Sequence, residues 1–153
     1  MSNETESNSS ASTANALTLG SPIKGQLSTS MDVDYYKFTA ASSGSVSITL
    51  NTPTNSSYDY FKFTLYDSSN NALGQYSTGK DLTASLGISA AGTYYVKVAA
   101  DGYSHDAGEY NLTASLAAGS AAGFESESNS SASTADALTL GSPIKGQLST
   151  SMD

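Results

Sequence analysis

Apolar side chains recur at every second position through most of the first 118 residues. Tyr36, Phe38 and Ala40 alternate with Tyr35, Lys37 and Thr39; Val46, Ile48 and Leu50 alternate with Ser45, Ser47 and Thr49. Phe61, Phe63 and Leu65 alternate with Tyr60, Lys62, Thr64 and Tyr66, and the rhythm continues over 82–88, 94–98 and 110–116. A period of two places one face of an extended strand in a core and the other in water, whereas a helix needs a period of 3.6. No segment carries the helical period. Turn-forming residues separate the runs: Ser42-Ser43-Gly44, the polar stretch 67–71, Ala90-Ala91-Gly92 and Asp101-Gly102. With weaker runs near 23–28 and 72–77, about eight strands are expected, in an all-β, antiparallel two-sheet β-sandwich of jelly-roll type. Roughly twenty inward side chains supply its core.

A near-exact internal repeat sets the domain organisation. Residues 4–32 recur as 125–153, an offset of 121, and only Thr5/Ser126 and Asn15/Asp136 differ across the 29 aligned positions. Identity this high over a polar stretch is the mark of a tandem array. Residues 4–118 are expected to form one complete repeat. The small-residue stretch 119–124 reads as a linker, and 125–153 as the opening of the next repeat. That last segment lacks a sandwich of its own, so it is expected to be disordered or to dock on another molecule. Head-to-tail exchange with a copy of the chain would use it without new contacts.

Composition excludes several classes of function. Fourteen acidic residues face six basic ones, all lysine, for a formal charge of −8. Such a chain repels a nucleic-acid backbone and has no guanidinium fork to grip phosphate. There is no cysteine and only one histidine, His105, which removes thiol chemistry and histidine-cluster metal centres. No apolar run reaches the roughly 20 residues of a membrane-spanning helix. The first residues lack the basic and apolar regions of an export signal. His105-Asp106 together with any serine would formally make a hydrolytic triad, but no Gly-x-Ser-x-Gly elbow positions a nucleophile, and no enzymatic activity is expected.

The strongest motifs combine Glu-x-Glu-x-Asn at 4–8, Leu-Thr-Leu-Gly at 17–20 and Ile-Lys-Gly-Gln-Leu at 23–27 with two tyrosine-rich strands. These are Asp-Val-Asp-Tyr-Tyr-Lys-Phe at 32–38 and Ala-Gly-Thr-Tyr-Tyr-Val-Lys-Val at 91–98. Together they resemble the bacterial pre-peptidase C-terminal domain, a family related to the collagen-binding domains of clostridial collagenases. The resemblance implies a non-catalytic sandwich of secreted or surface proteins, often in tandem, some of whose members bind calcium through an acidic N-terminal segment. Alternation puts Glu4, Glu6 and Asn8 on one face of an extended segment, and Asp32 and Asp34 likewise at the start of a strand. Convergence of so many carboxylates is unfavourable without a cation, and calcium prefers such oxygen ligands. By resemblance the metal role falls on Glu4, Glu6, Asn8, Asp32 and Asp34. Ser9 departs from the pattern, standing where calcium-binding members often carry an acidic residue.

Tyr35, Tyr60, Tyr66 and Tyr95 fall on outward strand positions and suit a polysaccharide or collagen-like polymer. The expected function is a calcium-stiffened spacer of a bacterial surface adhesin or fibre, extracellular or at the cell surface, whose partners are neighbouring repeats or copies of itself. The alternative is a polymer-binding module that targets a secreted hydrolase.

Overall fold

The computed structural model describes residues 1–119, 123–125, 129 and 131–146. Ten strands follow in chain order: β1 (Ser2–Asn3), β2 (Asn15–Ala16), β3 (Ile23–Gly25), β4 (Val33–Ala40), β5 (Gly44–Asn51), β6 (Phe61–Tyr66), β7 (Ala72–Thr78), β8 (Leu82–Ile88), β9 (Gly92–Ala100) and β10 (Tyr110–Ala118). They form two five-stranded sheets, ordered β1-β3-β10-β5-β8 and β2-β4-β9-β6-β7. With the two-residue strands β1 and β2 set aside, eight strands remain, at the places where the alternation puts them. Numbered in chain order, those eight lie 1-8-3-6 in one sheet and 2-7-4-5 in the other, the wrapping of a jelly roll.

The two-sheet sandwich is as expected, but both sheets are mixed rather than wholly antiparallel, and two short strands add to the expected eight or so. β1 runs parallel to β3, and β2 runs parallel to β4. The reason is the path of the first 25 residues. The chain leaves β1 on the first sheet, crosses to β4 on the second, and returns to the first as β3. A long excursion that comes back beside its own start can pair in parallel, whereas a tight hairpin cannot. Two-residue strands also carry no alternation, so no pattern in the sequence announces them.

Among the described residues, 21 buried apolar side chains form one core, most of them inward residues of the alternating runs, such as Tyr36, Phe38, Val46, Ile48, Leu50, Phe61, Phe63, Val96 and Leu112. Rings stack within the second sheet, Phe38 on Tyr94 at 5.7 Å and Phe63 on Tyr76 at 5.4 Å, and one edge-on pair joins the layers, Phe61 with Tyr110 at 5.6 Å. The N-terminal segment is part of this core, since Leu17, Ile23 and Leu27 are buried in it. On the outer face of the first sheet, Ser47 pairs with Ser85 and Thr49 with Thr83, each hydroxyl pair at 2.9 Å.

The last strand of the sandwich, β10, ends at Ala118. Of the expected linker and partial repeat, residues 120–122, 126–128, 130 and 147–153 lie outside the described residues. The rest repeats the local structure of the first copy. Glu125 N donates to Lys145 O at 2.9 Å, as Glu4 N does to Lys24 O. Thr134 N donates to Ser131 O, and Ser142 N to Thr139 O, as Thr13 does to Ser10 and Ser21 to Thr18. Phe124, Glu125, Lys145 and Gly146 line a cavity together with Leu73, Tyr76 and Leu86 of the sandwich.

Phe63→Ala removes a fully buried ring and should lower stability by about 3–5 kcal/mol. Tyr58→Ala, at an exposed position, should stay within about 0.5 kcal/mol. Urea denaturation of the two variants side by side checks this.

Candidate metal centre

Where the N-terminal segment meets β4, three acidic side chains converge. Ligand oxygens of Glu4, Glu6 and Asp34 all lie within 4.8 Å of one another. Glu4 follows β1, and its N–H extends the pairing with β3 by bonding Lys24 O. Asn8 is anchored by its backbone carbonyl, which accepts from Tyr35 N at 2.8 Å, so it lies directly beside the strand that carries Asp34. Between these points the segment is clamped by Asn15, whose side-chain amide bonds both Thr5 N and Thr5 O at 2.8 and 2.9 Å. The Glu6–Ser7 peptide bond is cis.

Asp34 occupies an inward position of β4, in line with Tyr36 and Phe38, and is fully buried. Glu4 is half-buried and Glu6 exposed, so the cluster has a closed floor and an open mouth. From the floor a chain of oxygen contacts runs back to Glu4. Asp34 Oδ2 lies 2.5 Å from the Tyr110 hydroxyl, Tyr110 lies 2.7 Å from the Tyr36 hydroxyl, and Tyr36 bonds Glu4 Oε2. Asn8 Nδ2 donates to the same Glu4 oxygen at 3.2 Å, and Gln26 N donates to Glu4 Oε1 at 2.6 Å. The two phenols reach the carboxylates across Gly25. A Cβ there would stand 2.3 Å from the Tyr36 hydroxyl and 2.4 Å from the Tyr110 ring, so only glycine fits between them.

Proton counting makes this chain informative. Its three contacts between Glu4, Tyr36, Tyr110 and Asp34 require three protons, and two phenols carry two. Burial holds both phenols protonated, with pKa values raised above the ordinary tyrosine range. The third proton belongs to a carboxyl group. Asp34 is the natural holder: burial first, then the charges of Glu4, Asp32 and Glu6, push its pKa up to about 8 against the Tyr110 hydrogen bond. Burial likewise raises Glu4.

Two buried oxygens remain without a protein partner here, Asn8 Oδ1 and Asp34 Oδ1; among the described residues the third such atom is Asn111 Oδ1. Unsatisfied buried acceptors are rare in folded proteins, and two in one acidic cluster point to a missing donor or cation.

Of the five residues given a metal role from the sequence, Glu4, Glu6 and Asp34 are brought together with Asn8 beside them, and Asp32 is not. Its carboxylate accepts from Ser28 N and Ser28 Oγ, both at 2.7 Å, and from Val33 N at 2.9 Å, closing the turn before β4. Burial raises its pKa, but the Ser28 and Val33 hydrogen bonds outweigh this and hold it below the usual carboxylate range. Ser9 is exposed. Tyr36, Tyr110 and Gly25 join the site without having been singled out for it. Their signal was a tyrosine, rather than a phenylalanine, at an inward position, because a buried hydroxyl needs a partner.

The outward tyrosines divide. Tyr35, Tyr66 and Tyr95 share the outer face of the second sheet, each partly exposed, with Tyr66 and Tyr95 directly paired across β6 and β9. Tyr60, just before β6, instead packs against the core. His105 and Asp106 form no dyad: the Asp106 carboxylate accepts from Thr54 Oγ1 at 2.6 Å and Gly108 N at 2.9 Å.

In comparisons with known proteins, residues 32–100 match the bacterial pre-peptidase C-terminal domain. The pre-peptidase C-terminal domain of a collagenase from Bacillus anthracis superposes with a TM-score of 0.52 at 25% identity, over 66% of this chain and 93% of that domain. PliG of Aeromonas hydrophila, a periplasmic inhibitor of g-type lysozyme, shares the fold at a TM-score of 0.53 and 15% identity, over 68% of this chain and 96% of its own. No curated protein sequence matches the chain. The matched span holds Asp34 and Tyr36, while Glu4, Glu6, Asn8 and Tyr110 lie outside it.

Without metal, the folded chain keeps a proton on Asp34 that the unfolded chain loses above its ordinary pKa of 3.8. A group whose pKa is raised on folding contributes fully at low pH and loses its contribution as pH rises through the folded value. In chelator, thermal stability should therefore fall between pH 4 and 8, by a few kcal/mol in order of magnitude at about 1.4 kcal/mol per pKa unit. Asp34→Asn should flatten most of that slope in melts taken across the same range.

Proposed function

Residues 32–100 belong to the bacterial pre-peptidase C-terminal domain family, and on that premise we propose that the chain is a calcium-stiffened spacer module of a secreted or surface protein. The family is one of non-catalytic accessory β-domains in secreted proteins, so the coarse reading is an extracellular module. Among the described residues no helix is long and apolar enough to cross a membrane.

The observation that carries the calcium reading is the pair of partnerless buried oxygens, Asn8 Oδ1 and Asp34 Oδ1, in the cluster of Glu4, Glu6 and Asp34. The donor set is all oxygen, three carboxylates and an amide, as a hard cation requires. Its irregular arrangement on two separate stretches of chain suits the flexible coordination of calcium better than the strict octahedron of magnesium. Asp32, with its oxygens engaged by Ser28 and Val33, would add negative charge nearby rather than a ligand.

The consequence is mechanical. Glu4, Glu6 and Asn8 belong to the segment that leads into the sandwich, and Asp34 belongs to the sandwich itself. A cation shared between them would fasten the lead-in segment to the domain and fix the direction in which a preceding repeat is held. A stalk of an adhesin or fibre uses that property directly.

Melting in EDTA, calcium and magnesium tests the reading. Calcium at 100 times its Kd should add about 2.7 kcal/mol, read as a rise of several degrees in Tm. Magnesium should do much less, and Asp34→Asn or Asn8→Ala should remove the response. Equal melting in calcium and EDTA would sink the metal site.

A second reading rests on the outer face of the second sheet. There Tyr95 pairs with Lys37 and Tyr66, and Tyr35 with Lys97, so flat rings and lysines alternate across neighbouring strands. That face suits a sugar polymer or an extended protein chain. Saturable binding in a glycan and collagen screen, lost in Tyr95→Ala without a change in Tm, would favour a targeting module over a spacer.

A further inference from the structure

Lysines and tyrosines gather on one face of a chain that is otherwise acidic. Outward positions of β4, β6 and β9 hold Lys37, Lys62 and Lys97, half of the six lysines, together with Tyr35, Tyr66 and Tyr95. No aspartate or glutamate takes an outward position on these three strands, although the chain has 14 acidic residues. Against a formal charge of −8 the face is a local island of positive charge.

Strand register sets these side chains alternately. Lys37, Tyr95 and Tyr66 lie side by side across β4, β9 and β6, and in the next row Tyr35 stands beside Lys97. With strands about 4.8 Å apart and same-face residues roughly 6.7 Å apart along each, the two rows cover a patch of about 10 by 7 Å. Lys62, at its border, is engaged by Asp101 at 2.7 Å. Lys37 is exposed and Lys97 partly so, and neither has a carboxylate partner among the described residues.

Two uncompensated ammonium groups set among three flat rings ask for a ligand that is both planar-faced and anionic. A sugar ring bearing a carboxylate meets both needs: its C–H face lies on a phenol ring, and its charge pairs with an ammonium group. An extended peptide fits less well. β9 and β6 are interior strands, and the free side of β4 is covered by β2, by Asn8 O on Tyr35 N and by Leu17 N on Lys37 O. No backbone edge is therefore open here for strand addition, and recognition falls to the side chains. We infer that the outer face of the second sheet binds an anionic polysaccharide of the uronic acid type, with Lys37 and Lys97 on its carboxylates and Tyr35, Tyr66 and Tyr95 against its rings. The inference rests on the targeting reading of that face and names its ligand class.

The test titrates the full chain with polygalacturonate, with its methyl ester and with polyglutamate. EDTA is present throughout, so that no cation bridges the polymer to the acidic cluster. Polygalacturonate should bind saturably. The ester keeps the rings and loses the charge, and should bind about tenfold more weakly, the scale of two exposed ion pairs. Lys37→Gln with Lys97→Gln should bring polygalacturonate down to the level of the ester, and Tyr95→Ala should weaken both. Lys80→Gln removes one charge at an exposed position between β7 and β8 and should leave binding as it is. All these variants should melt like the wild type, since the positions are on the surface. Equal binding of acid and ester, or indifference to the lysine pair, would overturn the anionic assignment and leave the targeting reading with a neutral polymer. Polyglutamate bound as tightly as polygalacturonate would overturn the sugar assignment in favour of an acidic polypeptide. Silence toward all three defeats the inference, and the glycan and collagen screen then decides whether the targeting reading falls with it.

Discussion

The structure turns on a carboxylate placed where its strand reserves room for an apolar side chain. Asp34 is fully buried on the inward face of β4, in line with Tyr36 and Phe38. A buried charge of this kind is tolerable only if it is neutralised, by a proton or by a cation, and the neighbourhood is arranged around that need. The phenols of Tyr36 and Tyr110 carry hydrogen bonding from Asp34 to Glu4, and Gly25 leaves the gap they cross. Because Glu4, Glu6 and Asn8 come from the lead-in segment, satisfying Asp34 means docking that segment. One polar position in the core thus fixes where Glu4, Glu6 and Asn8 meet the sandwich, while Leu17, Ile23 and the strand edges hold the rest of the segment.

Much of the sandwich was legible from alternation alone. Eight runs predicted eight strands, and all eight formed, because a period of two with one apolar face can be buried in only one way. What alternation could not express were the short partners. β1 and β2 are two residues each and exist through the edges of β3 and β4, which is why the parallel pairings escaped a reading of the strands one at a time. Tyr60 marks a similar limit. It continues the outward register of β6, yet it precedes the strand and turns onto the core.

The acidic cluster was legible as a set of residue types and less so as a geometry. Asp32 and Asp34 are equivalent by spacing and opposite in role. Asp34 lies within the regular strand and faces inward, whereas Asp32 precedes it and spends its oxygens on the turn at Ser28. Local hydrogen bonds that close a turn compete with any longer-range use of a side chain. Tyr36 and Tyr110 show the converse, since both read as core residues and their hydroxyls became the link between two distant carboxylates.

The sequence by itself determined the strand rhythm, the composition of the core, the absence of thiol chemistry and the existence of a repeat. These depend on residue type and spacing along one chain. Tertiary structure alone decided which carboxylates converge, which keep their oxygens for the turn, and that Leu17 and Leu138, alike in sequence, differ in burial. Those outcomes depend on whether a sheet edge stands opposite, and an edge is made by residues far apart in the chain. Burial is a property of the place a segment finds, and two nearly identical segments find different places here.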